Sequence, residues 1–139
     1  MSAARFPFKS GAVVPTLTLP GVTRLDLIKY AGASGDFNPI HTIDEAAEAA
    51  GLPGVIQHGM LTAAKICRLF SPYSADGFVS LIELRFVAMV GLGDVITITG
   101  TVTEARINDE TQLARVEVFA RNQNNQVVVS GLMEFTAPT

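Results

Sequence analysis

The second half of this chain limits what it can fold into. Between residues 78 and 135 it carries four runs of strand-type residues divided by turn signals. Phe78 to Val90 is apolar, with Glu83 and Arg85 interspersed. Asp94 to Ile107 sets Ile96 and Ile98 among threonines. Leu113 to Ala120 alternates Val116 and Val118 with charged or large partners, and Val127 to Phe135 closes the set. A period of two sends alternate side chains to opposite faces of a sheet. The breaks at Gly91-Leu92-Gly93, Asn108-Asp109 and Asn122 to Asn125 have hairpin-like spacing. Just before the strands, His58-Gly59 opens a helix running to about Phe70. Met60, Leu61, Ala64, Ile66, Cys67 and Phe70 spread around most of its circumference, and Ser71-Pro72 stops it. A helix apolar nearly all round is a buried helix. The pattern therefore predicts an α+β fold, a single antiparallel sheet wrapped around one long central helix. A length of 139 residues suits a single domain, 1–139, with one core.

The first half supplies the connections. Residues 1 to 12 read as an irregular arm anchored by Phe6 and Phe8, and Val13 to Leu19, interrupted by Pro15, as a short edge strand. Thr23 caps a helix, with Asp26 at the reciprocal position. Gly32 and Gly35 end that helix, and Tyr30 in its last turn is a packing residue. Thr42-Ile43-Asp44-Glu45 has the pattern of a second capping box, opening a short alanine-rich helix that Gly51 and Pro53 terminate.

Chemistry concentrates between those helices, in Tyr30-Ala-Gly-Ala-Ser34-Gly-Asp36-Phe-Asn38-Pro39-Ile-His41. Gly35 and Pro39 bracket the carboxylate, so Asp36 and His41 cannot share a regular helix. An Asp and a His that converge can position a water and take its proton, because the ordinary imidazole pKa of ~6.5 suits both giving and taking protons. The same spacing also fits a plain Asx-Pro turn in which Asn38 bonds its own backbone and His41 caps the next helix. His58 is equally readable as a structural residue. It stands at a helix N-terminus, where positive charge is disfavoured, and is expected to be neutral there with a minor part in shaping the site. Ser34 lacks the strained strand-to-helix setting of a serine nucleophile.

Composition excludes several functions. Net charge is -3 with no basic run, which speaks against nucleic-acid partners. The lone Cys67 rules out an internal disulfide and a cysteine-only metal site. Gly91-Leu92-Gly93 leads into a strand rather than a helix, so it is no dinucleotide fingerprint. Met1 to Lys9 lacks the apolar segment of a signal peptide, and Glu83 and Arg85 break the longest apolar run, so no membrane span is expected and the cytoplasm is the default.

The segment Tyr30 to His41 closely resembles the signature of the MaoC-like, R-specific enoyl-thioester hydratase family, an aromatic and small residues followed by Ser-Gly-Asp-x-Asn-Pro-aliphatic-His. Ile56-Gln57-His58-Gly59-Met60-Leu61 is similar to that family's second block, and Arg85-Phe86 through Val90 to Gly93-Asp94 to a weaker third. The resemblance implies the hot-dog fold and reversible addition of water to a 2-enoyl thioester, giving the (R)-3-hydroxyacyl thioester. Asp36 and His41 would hold and deprotonate the water, and the Gly59 backbone N–H would polarise the thioester carbonyl. A glycine in the first turn of a helix suits that part, since its N–H has no partner within the helix and its backbone is open to a ligand. Asn38, Ser34 and His58 would position substrate or the acid–base pair. No metal and no cofactor are expected beyond the CoA or phosphopantetheine that enters with the substrate. A homodimer or higher homo-oligomer is expected, with Phe70 and Met89 as candidates for the acyl tunnel. Two departures, Gln57 before His58 and Met89 where relatives carry proline, bear on substrate size rather than reaction class. Three alternatives differ in consequence: a dehydratase acting on an acyl-carrier-protein thioester, a non-catalytic acyl-binding subunit that should lack the pair, and a thioesterase, which the block-by-block match disfavours.

Overall fold

The computed structural model describes residues 5–139. The elements run β1 (Val13–Thr18), α1 (Arg24–Ser34), α2 (Asp44–Ala49), α3 (Gly59–Cys67), β2 (Phe78–Phe86), β3 (Thr97–Ile107), β4 (Thr111–Arg121) and β5 (Val127–Pro138). The strands form one five-stranded antiparallel sheet in the order β1-β3-β4-β5-β2. This is the hot-dog architecture expected. The period of two does its work on β3 and β4. Ile98, Val102, Ala114, Val116, Val118 and Ala120 are buried, while Glu117 between them is exposed. The edge position of β1 is as read, and Pro15 sits there beside an irregularity in register between Val14 and Leu17. Phe6 anchors the arm by stacking on Phe135 at 4.6 Å between ring centroids.

One connection differs from the sequence reading. Gly91-Leu92-Gly93 does not close a hairpin, because β2 pairs with β5 and β3 pairs with β1 and β4, on opposite sides of the sheet. Gly93 instead bonds to Val22 and the Asp94 carbonyl accepts from Val22, tying this turn to the start of α1. The strand read to Val90 accordingly ends at Phe86. Spacing reports a turn; which strand the chain then joins is decided by long-range pairing.

The central helix also differs. Its α-helical part spans nine residues, and a 3₁₀ segment, Arg68–Tyr73, continues it with Pro72 inside. Proline lacks a donor, but its fixed φ still fits a helical turn. The helix is not buried all round. Thr62, Ala63 and Ile66 are buried, while Met60 is 64% exposed. A short helix lying across one sheet can cover only one of its own sides. The approach is close where the sheet carries Gly100, since a Cβ there would stand 2.7 Å from a Leu69 methyl. Phe70, offered above as a tunnel residue, is 3% exposed and stacks on Phe135 and Phe6 in the core. Met89 lies at the surface, 61% exposed.

Candidate active site

Local bonds build the loop before they build the site. Thr23 and Asp26 cap α1 reciprocally, and Gly35 ends it in the left-handed conformation at φ 74°. The Ser34 hydroxyl donates to the Tyr30 carbonyl and accepts from the Asp36 N–H. Asp36 Oδ1 accepts the Asn38 N–H at 3.2 Å, and Asn38 Oδ1 accepts the Ile40 N–H to open the 3₁₀ turn Pro39–His41. Ser34 thus holds the backbone that carries Asp36, and Asn38 the backbone that leads to His41. The capping box expected at Thr42 does not form. The N-cap of α2 is Ile43, without a side-chain bond, because Thr42 serves as the C-cap of the preceding 3₁₀ turn, its N–H donating to the Pro39 carbonyl.

The loop delivers Asp36 and His41 to one place. His41 Nε2 and Asp36 Oδ2 are 3.8 Å apart, with the imidazole buried and the carboxylate half exposed. That gap exceeds a direct hydrogen bond, yet an oxygen atom placed between them reaches both at ordinary bonding distance. His41 Nδ1 lies 2.8 Å from the Ile56 carbonyl oxygen. A carbonyl only accepts, so Nδ1 carries the hydrogen, and the lone pair of the neutral ring sits on Nε2, facing the carboxylate.

A second ring, expected only to help shape the site, stands closer to the pair than sequence reasoning could place it. His58 is 1% exposed and stacks on His41 with centroids 3.8 Å apart and 22° between planes. Tyr30 meets the His58 ring edge-on, with centroids 4.9 Å apart. No periodicity links these positions, since they come from α1, a 3₁₀ turn and the cap of α3. Asp36, His41 and His58 each present a ligand-type atom within 4.8 Å of the others. They form one cluster of possible ligand atoms. Its geometry still suits acid–base work better than a metal ion. In-plane lone pairs of rings this nearly parallel do not converge within the ~2.0–2.1 Å of a metal–nitrogen bond.

Directly after His58, α3 begins. The N–H groups of Leu61 and Thr62 both go to the His58 carbonyl, whereas those of Gly59 and Met60 precede any carbonyl the helix can offer. They sit at the positive end of the helix dipole. Gly59 is exposed, and a Cβ on it would meet the Phe86 ring at 3.3 Å. Gln57, the unusual residue of this block, turns away from the pair. It is 4% exposed, donates to Thr62 Oγ1 and accepts from Lys65 Nζ, both at 2.7 Å. Burial pushes the Lys65 ammonium below its ordinary pKa.

The comparisons with known proteins agree with this architecture. A family model described as "MaoC like domain" matches residues 13–124. The β subunit of fatty acid synthase from Saccharomyces cerevisiae is 34% identical over 128 residues, covering 90% of this chain and 6% of that protein. An (R)-specific enoyl-CoA hydratase of Rhodospirillum rubrum is 34% identical over 85 residues, covering 59% of this chain and 58% of that one. An unliganded R-hydratase from Pseudomonas aeruginosa superposes with a TM-score of 0.74 at 31% identity, covering 94% of this chain and 82% of its own. The chain thus spans a small fraction of the fungal synthase subunit and just over half of the bacterial hydratase.

Proposed function

This chain belongs to the MaoC-like domain family, and from that premise we propose that it catalyses reversible addition of water to a 2-enoyl thioester, giving the (R)-3-hydroxyacyl thioester of CoA. The observation that carries the reading is the 3.8 Å gap between Asp36 Oδ2 and His41 Nε2. Both atoms accept hydrogen bonds, so one water donates to each and keeps a lone pair free for the substrate's β-carbon. As the new C–O bond forms, a water O–H bond breaks and its proton passes to His41 Nε2. The C=C electrons move toward the thioester oxygen, where the Gly59 N–H stabilises the negative charge. The imidazolium, steadied meanwhile by the Asp36 carboxylate, then gives that proton to the α-carbon, so that H and OH are both added and His41 is neutral again. The residues acting are those of the chain itself; CoA enters as part of the substrate, and the reaction as written uses no metal or further cofactor.

The name of the Rhodospirillum rubrum relative supports CoA as carrier, and the match to a fatty acid synthase subunit over 90% of this chain supports a second reading, in which the acyl group arrives on a carrier protein. Loss of enoyl absorbance with a short 2-enoyl-CoA, run beside the same acyl group on a carrier protein, distinguishes them. Turnover on CoA with an R-configured product supports the first reading, turnover on the carrier protein alone supports the second, and thioester cleavage without hydration refutes both.

A second copy of the chain completes the proposal. β2 stands at the sheet edge and leaves Phe78, Ile82 and Phe86 49% to 62% exposed, with Val87, Met89 and Met60 also at the surface. An unpaired edge with this much apolar surface is suited to pairing with another chain. Gly59 borders that surface through Phe86, so a homodimer formed there would help enclose the acyl group. Among the described residues no helix is long and apolar enough to cross a membrane. The free thiol of Cys67 suits the reducing cytoplasm, where we place the reaction.

A further inference from the structure

We propose that His58 is a positioning residue, locked in the tautomer opposite to His41, that couples the acid–base loop to the helix carrying the carbonyl-binding N–H. The two rings face backbone carbonyls through different nitrogens. His41 uses Nδ1 toward Ile56 O at 2.8 Å, and His58 uses Nε2 toward Asp36 O at 3.2 Å. Since a carbonyl only accepts, neutral His41 carries its hydrogen on Nδ1 and neutral His58 on Nε2. The remaining lone pairs then have different fates. That of His41 faces the Asp36 carboxylate. That of His58, on Nδ1, is the buried side-chain atom without a partner among the described residues. That atom is buried, and the nitrogen facing the Asp36 carboxylate is His41 Nε2, so the His58 lone pair is not the one placed to take the water's proton. Proton transfer is therefore confined to His41, although the two rings are stacked and chemically identical.

His58 acts through position instead. Asp36 is half exposed, and its other bonds are local ones to Ser34 and Asn38 within the same loop. The His58 bond is the long-range tie that joins Asp36 to α3, and the residue after His58 is Gly59. One side chain thus fixes the distance between the carboxylate that holds water and the N–H that holds the carbonyl. The same ring backs His41 and is itself braced by Tyr30.

The inference rests on the hydratase reading for its kinetic arm and is independent of it in its spectroscopic arm. The chain has two histidines, so ¹⁵N imidazole spectra of the labelled protein contain two rings, assigned by the loss of one in His58→Phe. At a pH where both rings are neutral, one is expected with hydrogen on Nδ1 and the other, His58, on Nε2. Two rings of the same tautomer overturn the proposal, whatever the enzyme's activity. His58→Phe keeps an aromatic ring and removes the donor, and is expected to lower kcat about 10–100-fold with KM little changed. His58→Gln restores a donor and is expected to recover part of that loss. A folded His58→Phe protein with wild-type kcat, or a Gln variant no better than Phe, contradicts the positioning role. Absence of turnover in the wild type with any thioester defeats the hydratase reading and leaves the spectra to decide this one.

Discussion

At the scale of single residues, the candidate site divides into groups that meet the reacting atoms and groups that hold them. In the proposed reaction Asp36, His41 and the Gly59 N–H belong to the first; Ser34, Asn38 and His58 bond to the backbone around them. Gly59 allows an unusual test because it is the first residue of α3, the helical position where proline is tolerated. His58 before it is extended, at φ -55° and ψ 133°, as a residue preceding proline prefers. Gly59→Pro therefore removes the N–H while keeping the helix, and a movable Phe86 ring is what the added atoms meet. Turnover is expected to fall about 10²–10³-fold with the fold retained by circular dichroism. Undiminished turnover would remove Gly59 from the mechanism. The loop was legible in sequence because its determinants are local: Asn38, Pro39 and Gly35 each act within a few residues. His58 against His41 was not, since stacking across three elements leaves no sequence pattern.

At the scale of elements, the helix cap read from Thr23 and Asp26 is present as a reciprocal box, while the same pattern at Thr42 is not. The motif is permissive, and the turn before α2 had already claimed Thr42. The cap on α1 carries a measurable signature. Hydrogen bonds from the Thr23 backbone and side chain hold the Asp26 carboxyl below its ordinary 3.8. A carboxylate with a depressed folded-state pKa contributes stability that is present above the unfolded value and lost as pH falls through the lowered folded value. Asp26→Asn should therefore destabilise the protein at neutral pH and converge with wild type in acid below that value. Thr23→Ala should cost ~0.5–2 kcal/mol in urea unfolding at neutral pH. A constant Asp26→Asn penalty across the whole range would contradict this assignment. Helix α3 was legible as the core helix from Ile66 and its neighbours, yet its other side, Met60 included, is exposed, which fits the second copy of the chain proposed above.

At the scale of the whole molecule, the four strand runs and their antiparallel sense were readable, and the order β1-β3-β4-β5-β2 was not. Alternation fixes which face a residue takes and says nothing about which neighbour a strand chooses across the sheet. That order places β2 at an edge with Phe78 and Phe86 exposed, and Phe86 beside Gly59. Sedimentation of the wild type is expected to give twice the 14.7 kDa chain mass, and Ile82→Glu on β2 to shift it toward the monomer. A wild-type monomer at micromolar concentration would refute the shared edge.

The central claim is that Asp36 and His41 together act on one water. Its most direct test follows loss of enoyl absorbance on a short 2-enoyl-CoA, with wild type, Asp36→Asn and His41→Ala in parallel. The expected result is turnover by the wild type and a loss of about 10²–10⁴-fold in each variant, with folding and oligomeric mass unchanged. Near-normal turnover in either folded variant would contradict the account.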